Sequence, residues 1–112
     1  MTTPEKAKGS QWERDVAKVF NDMGFPYAER RYGAGNTMDK GDLNGIPRVV
    51  IECKNVKTIT LASIMDEASR ERANAKADLG IAVIKRRNKP ARLGYAVVTL
   101  EEMAWLLKQA GF

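Results

Sequence analysis

The stretch Gly41-Asp42-Leu43-Asn44-Gly45-Ile46-Pro47-Arg48-Val49-Val50-Ile51-Glu52-Cys53-Lys54-Asn55 decides how this chain is read. Asn44-Gly45 is a strong hairpin signal, because both turn positions tolerate positive φ. Asp42-Leu43 leads into the turn and Val49 to Lys54 leads out, with Pro47 at or just before the second strand. Strand side chains alternate, so Val50, Glu52 and Lys54 share one face and Val49, Ile51 and Cys53 the other. A strand this apolar is expected in the centre of a sheet, covered on both faces. Ending it with a carboxylate and an ammonium on one side is costly unless the two are paired or solvated at a site. The hairpin sets Asp42 beside that end, so two carboxylates and a lysine converge. A plain salt bridge between Glu52 and Lys54, with Asp42 merely opening the hairpin, is the structural alternative.

Upstream, Met1 to Lys8 reads as a loose tail and Ser10 to Met23 as a helix closed by Gly24. Ser10 and Glu13 have the spacing of a capping box. Trp12, Val16, Val19, Phe20 and Met23 form one apolar stripe, with Arg14, Lys18 and Asp22 opposite. Glu13 sits at the edge of the buried stripe, the one charge facing inward. Phe25 to Tyr32 is expected as a strand and Gly33 to Gly41 as a loop. Downstream, Leu61 to Asp78 reads as a helix whose Arg70, Arg72 and Lys76 interleave with Glu67, Glu71 and Asp78 as surface charges. Leu79 to Ile84 and Gly94 to Val98 read as strands. Thr99 and Glu102 cap a last helix with Met103, Leu106, Leu107 and Ala110 inside. The order α-β-β-β-α-β-β-α predicts an α/β or α+β fold with a mixed five-stranded sheet flanked by helices, one domain from residue 9 to 112.

Composition narrows the chemistry. The chain has 112 residues, no histidine and one cysteine. Ser-His-Asp and Cys-His machinery are excluded, as are a closed Cys/His zinc site and an internal disulfide. Any chemistry must use carboxylates, lysine or arginine, and any metal must be hard. No apolar run is long enough for a bilayer span and no signal peptide is evident, so a soluble, cytoplasmic protein is expected. The formal net charge of +5 points to an anionic partner, nucleic acid first. Lys85, Arg86, Arg87, Lys89 and Arg92 account for all of that excess within one loop. A solvated hairpin tip explains the loop about as well as DNA contact does.

Asp42 and Glu52, with the Cys53 backbone carbonyl, are suitable hard-oxygen ligands for Mg²⁺, with Mn²⁺ able to substitute. Lys54 could orient a metal-activated water or stabilise charge on a phosphate. These residues suit phosphodiester hydrolysis without histidine.

At this point a resemblance is carried by the residues. Asp42 with Glu52-x-Lys54 resembles the PD-(D/E)XK nuclease motif. Lys8-Gly9-Ser10-Gln11-Trp12-Glu13-Arg14-Asp15, ending at Met23-Gly24-Phe25, is similar to the first helix of archaeal-type (Hjc-like) Holliday junction resolvases. The similarity covers about Lys8 to Asn55, half the chain; beyond it only the element order is alike. Gly41 stands where the family usually has a proline or an apolar residue, and Asp39 is a nearby second acid. The resemblance implies a restriction-endonuclease-like core and Mg²⁺-dependent cutting of four-way DNA junctions by a homodimer, in recombination and repair. It further implies that Glu13, Asp42, Glu52 and Lys54 are catalytic, with Asp42 and Glu52 the metal ligands. DNA contacts are expected from Arg14, from Arg30 or Arg31, and from Lys85, Arg86, Arg87, Lys89 and Arg92. Tyr27, Tyr32 or the Trp105 face are candidates for the dimer interface. Two rivals remain: a related nuclease acting on flaps, nicks or duplex, and a non-catalytic DNA-binding module of the same fold.

Overall fold

The computed structural model describes residues 3–31 and 40–112. Its elements are α1 (Pro4–Asp22), β1 (Glu29–Arg30), β2 (Leu43–Asn44), β3 (Val49–Lys54), α2 (Leu61–Ala75), β4 (Leu79–Ile84), β5 (Tyr95–Val97) and α3 (Leu100–Gln109). The expected order of helices and strands is present, and the class is α+β. A 3₁₀ turn, Ala91–Leu93, lies between β4 and β5.

The first helix begins earlier than expected. Thr3 is its N-cap, accepting from the Lys6 N–H at 3.1 Å, and Pro4 opens the first turn. Pro at the first helical position costs nothing, because its missing N–H would be unsatisfied anyway. Residues 4–8 are therefore helical rather than a tail, and Ser10 and Glu13 lie inside the helix rather than at its cap. Trp12, Val16 and Ala17 are buried, while Met23 at the end of the expected stripe is exposed. The Trp12 indole N–H donates to the Val83 carbonyl at 3.1 Å, tying α1 to β4.

The strands do not form one five-stranded sheet among the described residues. β3, β4 and β5 make a mixed sheet, with β3–β4 parallel and β4–β5 antiparallel. β1 and β2 pair separately, Glu29 with Asn44 and Arg30 with Leu43. Backbone geometry explains the break. Gly41, Gly45 and Arg48 all have positive φ, so the chain around β2 cannot run as an extended partner of β3. The Asp42 N–H does reach across, donating to the Ile51 carbonyl at 2.8 Å. The Asn-Gly signal thus identifies the positive φ but not the turn. Gly45 is required because a Cβ there would run into the Tyr27 carbonyl.

The expected strand from Phe25 shrinks to two residues. The Asn21 amide donates to the carbonyls of Phe25 and Ala28 at 3.0 and 2.9 Å, holding that segment in a turn. Tyr32 and Asp39 lie outside the described residues. α2 ends at Ala75, not Asp78, with Lys76 in the left-handed conformation that caps it.

Two layers cover the mixed sheet. Ile51 and Val83 pack with Trp12, Val16 and Ala17 on the α1 side. α2 covers the other face closely: a side chain at Gly80 would strike the Ala68 backbone. α3 differs from expectation. Thr99 caps it as predicted, accepting from the Glu102 N–H at 3.2 Å. However, Glu102 turns inward to accept from the Gly80 N–H at 2.7 Å, so the Trp105 and Leu106 side approaches the body. Met103 and Leu107, expected inside, are 41% and 44% exposed, and Ala110 is exposed too.

Candidate functional site

β3 displays its residues as the alternation requires. Ile51 joins the α1-side core, while Glu52 and Lys54 face α2. Asp42 reaches β3 from the opposite edge to β4. Its Oδ2 accepts from the Cys53 N–H at 2.7 Å, taking a position that a neighbouring strand would otherwise fill. N–H and C=O of one strand residue point to the same edge, so the Cys53 carbonyl also faces Asp42. Gly41 permits this approach: a Cβ there would lie 2.8 Å from Val50 Cγ1 and 2.9 Å from the Ile51 carbonyl. Gly41 is thus the residue that lets Asp42 sit against β3.

On the α2 side Lys54 lies between two carboxylates, 2.9 Å from Glu67 Oε1 and 3.3 Å from Glu52 Oε1. Glu52, Glu67 and Glu71 form a cluster whose ligand atoms all lie within 4.8 Å of one another. Asp42 is not a member of it. Glu67 and Glu71 were expected as surface charges. Instead Glu71 is 0% exposed, because it continues the buried stripe of Ile64 and Ala68. That spacing, three residues on from Ala68 and seven from Ile64, was the available signal.

The electrostatics follow from this crowding. Burial pushes the Glu52 carboxyl up to about 11, with the neighbouring Glu71, Glu67 and Asp42 carboxyls adding to it. Burial works against the Lys54 ammonium, but the Glu67 hydrogen bond and the adjacent carboxylate charges outweigh it and raise its pKa. Of the two carboxylates, Glu67 makes the shorter contact with Lys54 and contributes most to keeping it charged. Burial also pushes the Cys53 thiol up, with Asp42 and Glu13 contributing, so Cys53 is an inert core neighbour rather than a nucleophile.

Glu13 is half-buried and accepts from Arg30 Nε at 2.6 Å. Its role as a helix cap is removed by the earlier start of α1. Of the two arginines, Arg30 meets Glu13, while the Arg31 backbone N–H donates to the Asp42 carbonyl at 2.8 Å. Arg14 is exposed beside Gln11. The basic loop is less uniform than its sequence. Lys85 Nζ sits 5.9 Å from the Trp12 ring centre and Arg86 lies 4.9 Å from that of Tyr95. Arg87, Lys89 and Arg92 are exposed. No described helix is long and apolar enough to cross a membrane. In comparisons with known proteins, no family model, no curated protein and no solved structure matches the chain.

Proposed function

We propose that this chain is a divalent-metal-dependent DNA endonuclease selective for four-way junctions, acting as a homodimer. The observation that carries this reading is the Asp42 carboxylate held on the Cys53 N–H, one residue from Glu52 and one from Lys54. Asp42, Glu52 and the Cys53 carbonyl are all hard oxygen donors. Glu52 Oε2 is buried without a hydrogen-bond partner, and its carboxyl resists ionisation, two costs that a cation would offset. Bound to these residues, Mg²⁺ or Mn²⁺ supplies polarisation of a phosphate oxygen and an acidified water. Lys54, kept charged by Glu67, stabilises negative charge developing on the phosphate. Glu13 holds Arg30, whose guanidinium suits a phosphate oxygen. One chain offers one such site, whereas resolving a four-way junction takes two opposed cuts. A two-fold pair of chains matches that symmetry.

The test is cleavage of labelled four-way junction, flap and linear duplex, with and without Mg²⁺. Wild type is expected to cut the junction only with the metal. Asp42→Asn, Glu52→Gln and Lys54→Ala are expected to bind the junction and not cut it. Normal cutting by either carboxylate variant overturns the metal assignment. Equal rates on every substrate overturn junction selectivity, and no cutting by wild type overturns the nuclease reading.

A further inference from the structure

Beyond Lys54 the surface opens into a groove of about 360 Å³, lined by Lys8, Asn55, Lys57, Lys85, Arg87 and Asn88. Its four cations come from three separate segments: α1, the turn after β3 and the turn after β4. Among the described residues, no acidic one lines it. Like charges gathered from distant parts of a chain repel one another, so such a concentration favours an anion that joins them. The floor is rigid, because the Lys85 N–H donates to the Lys54 carbonyl at 3.0 Å and extends the β3–β4 pairing. The groove also lies outside the carboxyl ends of two parallel strands, where open α/β sheets commonly receive ligands.

A neighbouring groove gives the contrast. It holds Lys18, Lys85, Lys89 and Arg92, but also Asp15 and Asp22. Lys18 is already paired with Asp22 at 3.5 Å. The basic loop is therefore divided. Arg87 faces only the groove without acids, Lys85 borders both grooves, and Lys89 and Arg92 face one that also carries two aspartates. Arg86 is taken up by the Tyr95 ring.

We infer that the Lys8–Lys57–Lys85–Arg87 groove is the seat of a DNA backbone, taking successive phosphates of one strand and leading that strand to Lys54. Asn55 and Asn88 add neutral donors suited to phosphate oxygens. This deepens the nuclease reading, on which its connection to Lys54 rests, but binding in the groove needs neither metal nor cutting.

The experiment measures fluorescence anisotropy of a labelled four-way junction in EDTA across a salt series. Wild type is compared with Lys57→Ala/Arg87→Ala and with a charge-matched control, Arg70→Ala/Lys108→Ala, at exposed positions away from the groove. Each phosphate contact contributes about 0.9 to the slope of log affinity against log salt. The groove pair is expected to lower that slope by about 2 and to weaken binding at least tenfold near physiological salt. The control is expected to leave the slope unchanged. Thermal melting checks that each variant is folded. The inference is overturned if the groove pair binds like wild type, if the control loses as much, or if Lys89→Ala/Arg92→Ala loses more than the groove pair. Wild-type cleavage with Mg²⁺ is scored separately. Salt-dependent binding through the groove without cutting sinks the nuclease reading and keeps the groove. Cutting by wild type with unaltered binding by the groove pair does the reverse.

Discussion

Lys54 keeps its charge through Glu67, which reaches it at 2.9 Å from α2, thirteen residues further along the chain. If Lys54 acts on the phosphate, Glu67 is a positioning residue, and displacing the ammonium by about 1 Å can cost on the order of a hundredfold in rate. Glu67→Ala is expected to lower single-turnover cleavage by about ten- to a hundredfold with junction affinity unchanged, and Glu67→Gln, which keeps an acceptor oxygen, to recover part of the loss. Equal defects in the two variants would sink the positioning role. Glu52 makes a second prediction. Its folded pKa, about 11, lies above its ordinary 4.5. Its contribution to stability is thus fully present below about pH 4.5 and is lost progressively as pH rises towards 11. Without metal, wild type should therefore become less stable from weakly acid to alkaline pH. Glu52→Gln, which never ionises, should flatten that trend and exceed wild type in stability in alkaline EDTA, while losing cleavage. Urea melts at several pH values check this, and parallel slopes for the two proteins would contradict it.

Among the elements, β3 and β4 were legible because short apolar runs rich in Val and Ile leave few other options. β2 was not, because its course is set by contacts distant in sequence: the Tyr27 carbonyl against Gly45 and the Ile51 carbonyl against Asp42. The start of α1 was misplaced because Ser10-x-x-Glu13 imitates a cap, while Thr3-Pro4 supplies the real one. The earlier start of α1 removes the cap explanation for Glu13, which instead pairs with Arg30. That Glu52 and Lys54 share a face could be read from alternation, whereas the approach of Asp42 rested on the expected hairpin. Glu71 was marked by its spacing from Ile64 and Ala68, but Glu67 was not, because its pairing depends on α2 facing the strand that carries Lys54. Gly45 turns this into a measurement. Its φ of +89° and the adjacent Tyr27 carbonyl leave no room for a side chain. Gly45→Ala is expected to destabilise the fold by about 1–3 kcal/mol in urea melts. An effect within about 0.5 kcal/mol, the ordinary range for surface substitutions, would show that the β1–β2 corner adapts.

Over the whole molecule, the basic groove and the exposed side of α3 are different surfaces. The acid-free groove lies at the carboxyl ends of β3 and β4, and the largest apolar exposure of the C-terminal segment lies along α3. Leu100, Met103 and Leu107 fall on one face of that helix and are 85%, 41% and 44% exposed. α3 is held by polar contacts, the Thr99 cap and the bond between Glu102 and the Gly80 N–H, rather than by a buried apolar side. A helix that keeps its apolar stripe outward loses the hydrophobic gain that usually fixes a helix in place. In the proposed homodimer, a two-fold axis beside α3 would bury this stripe against its own copy. Light scattering is expected to give the mass of two chains. Leu100→Lys/Leu107→Lys should shift the protein to one chain without lowering its thermal stability, because neither residue supports the monomer's core. That variant should still nick one strand of a four-way junction with Mg²⁺ but lose the paired, symmetric cuts. A wild type that is monomeric while making paired cuts, or a variant that stays dimeric, removes α3 from the interface.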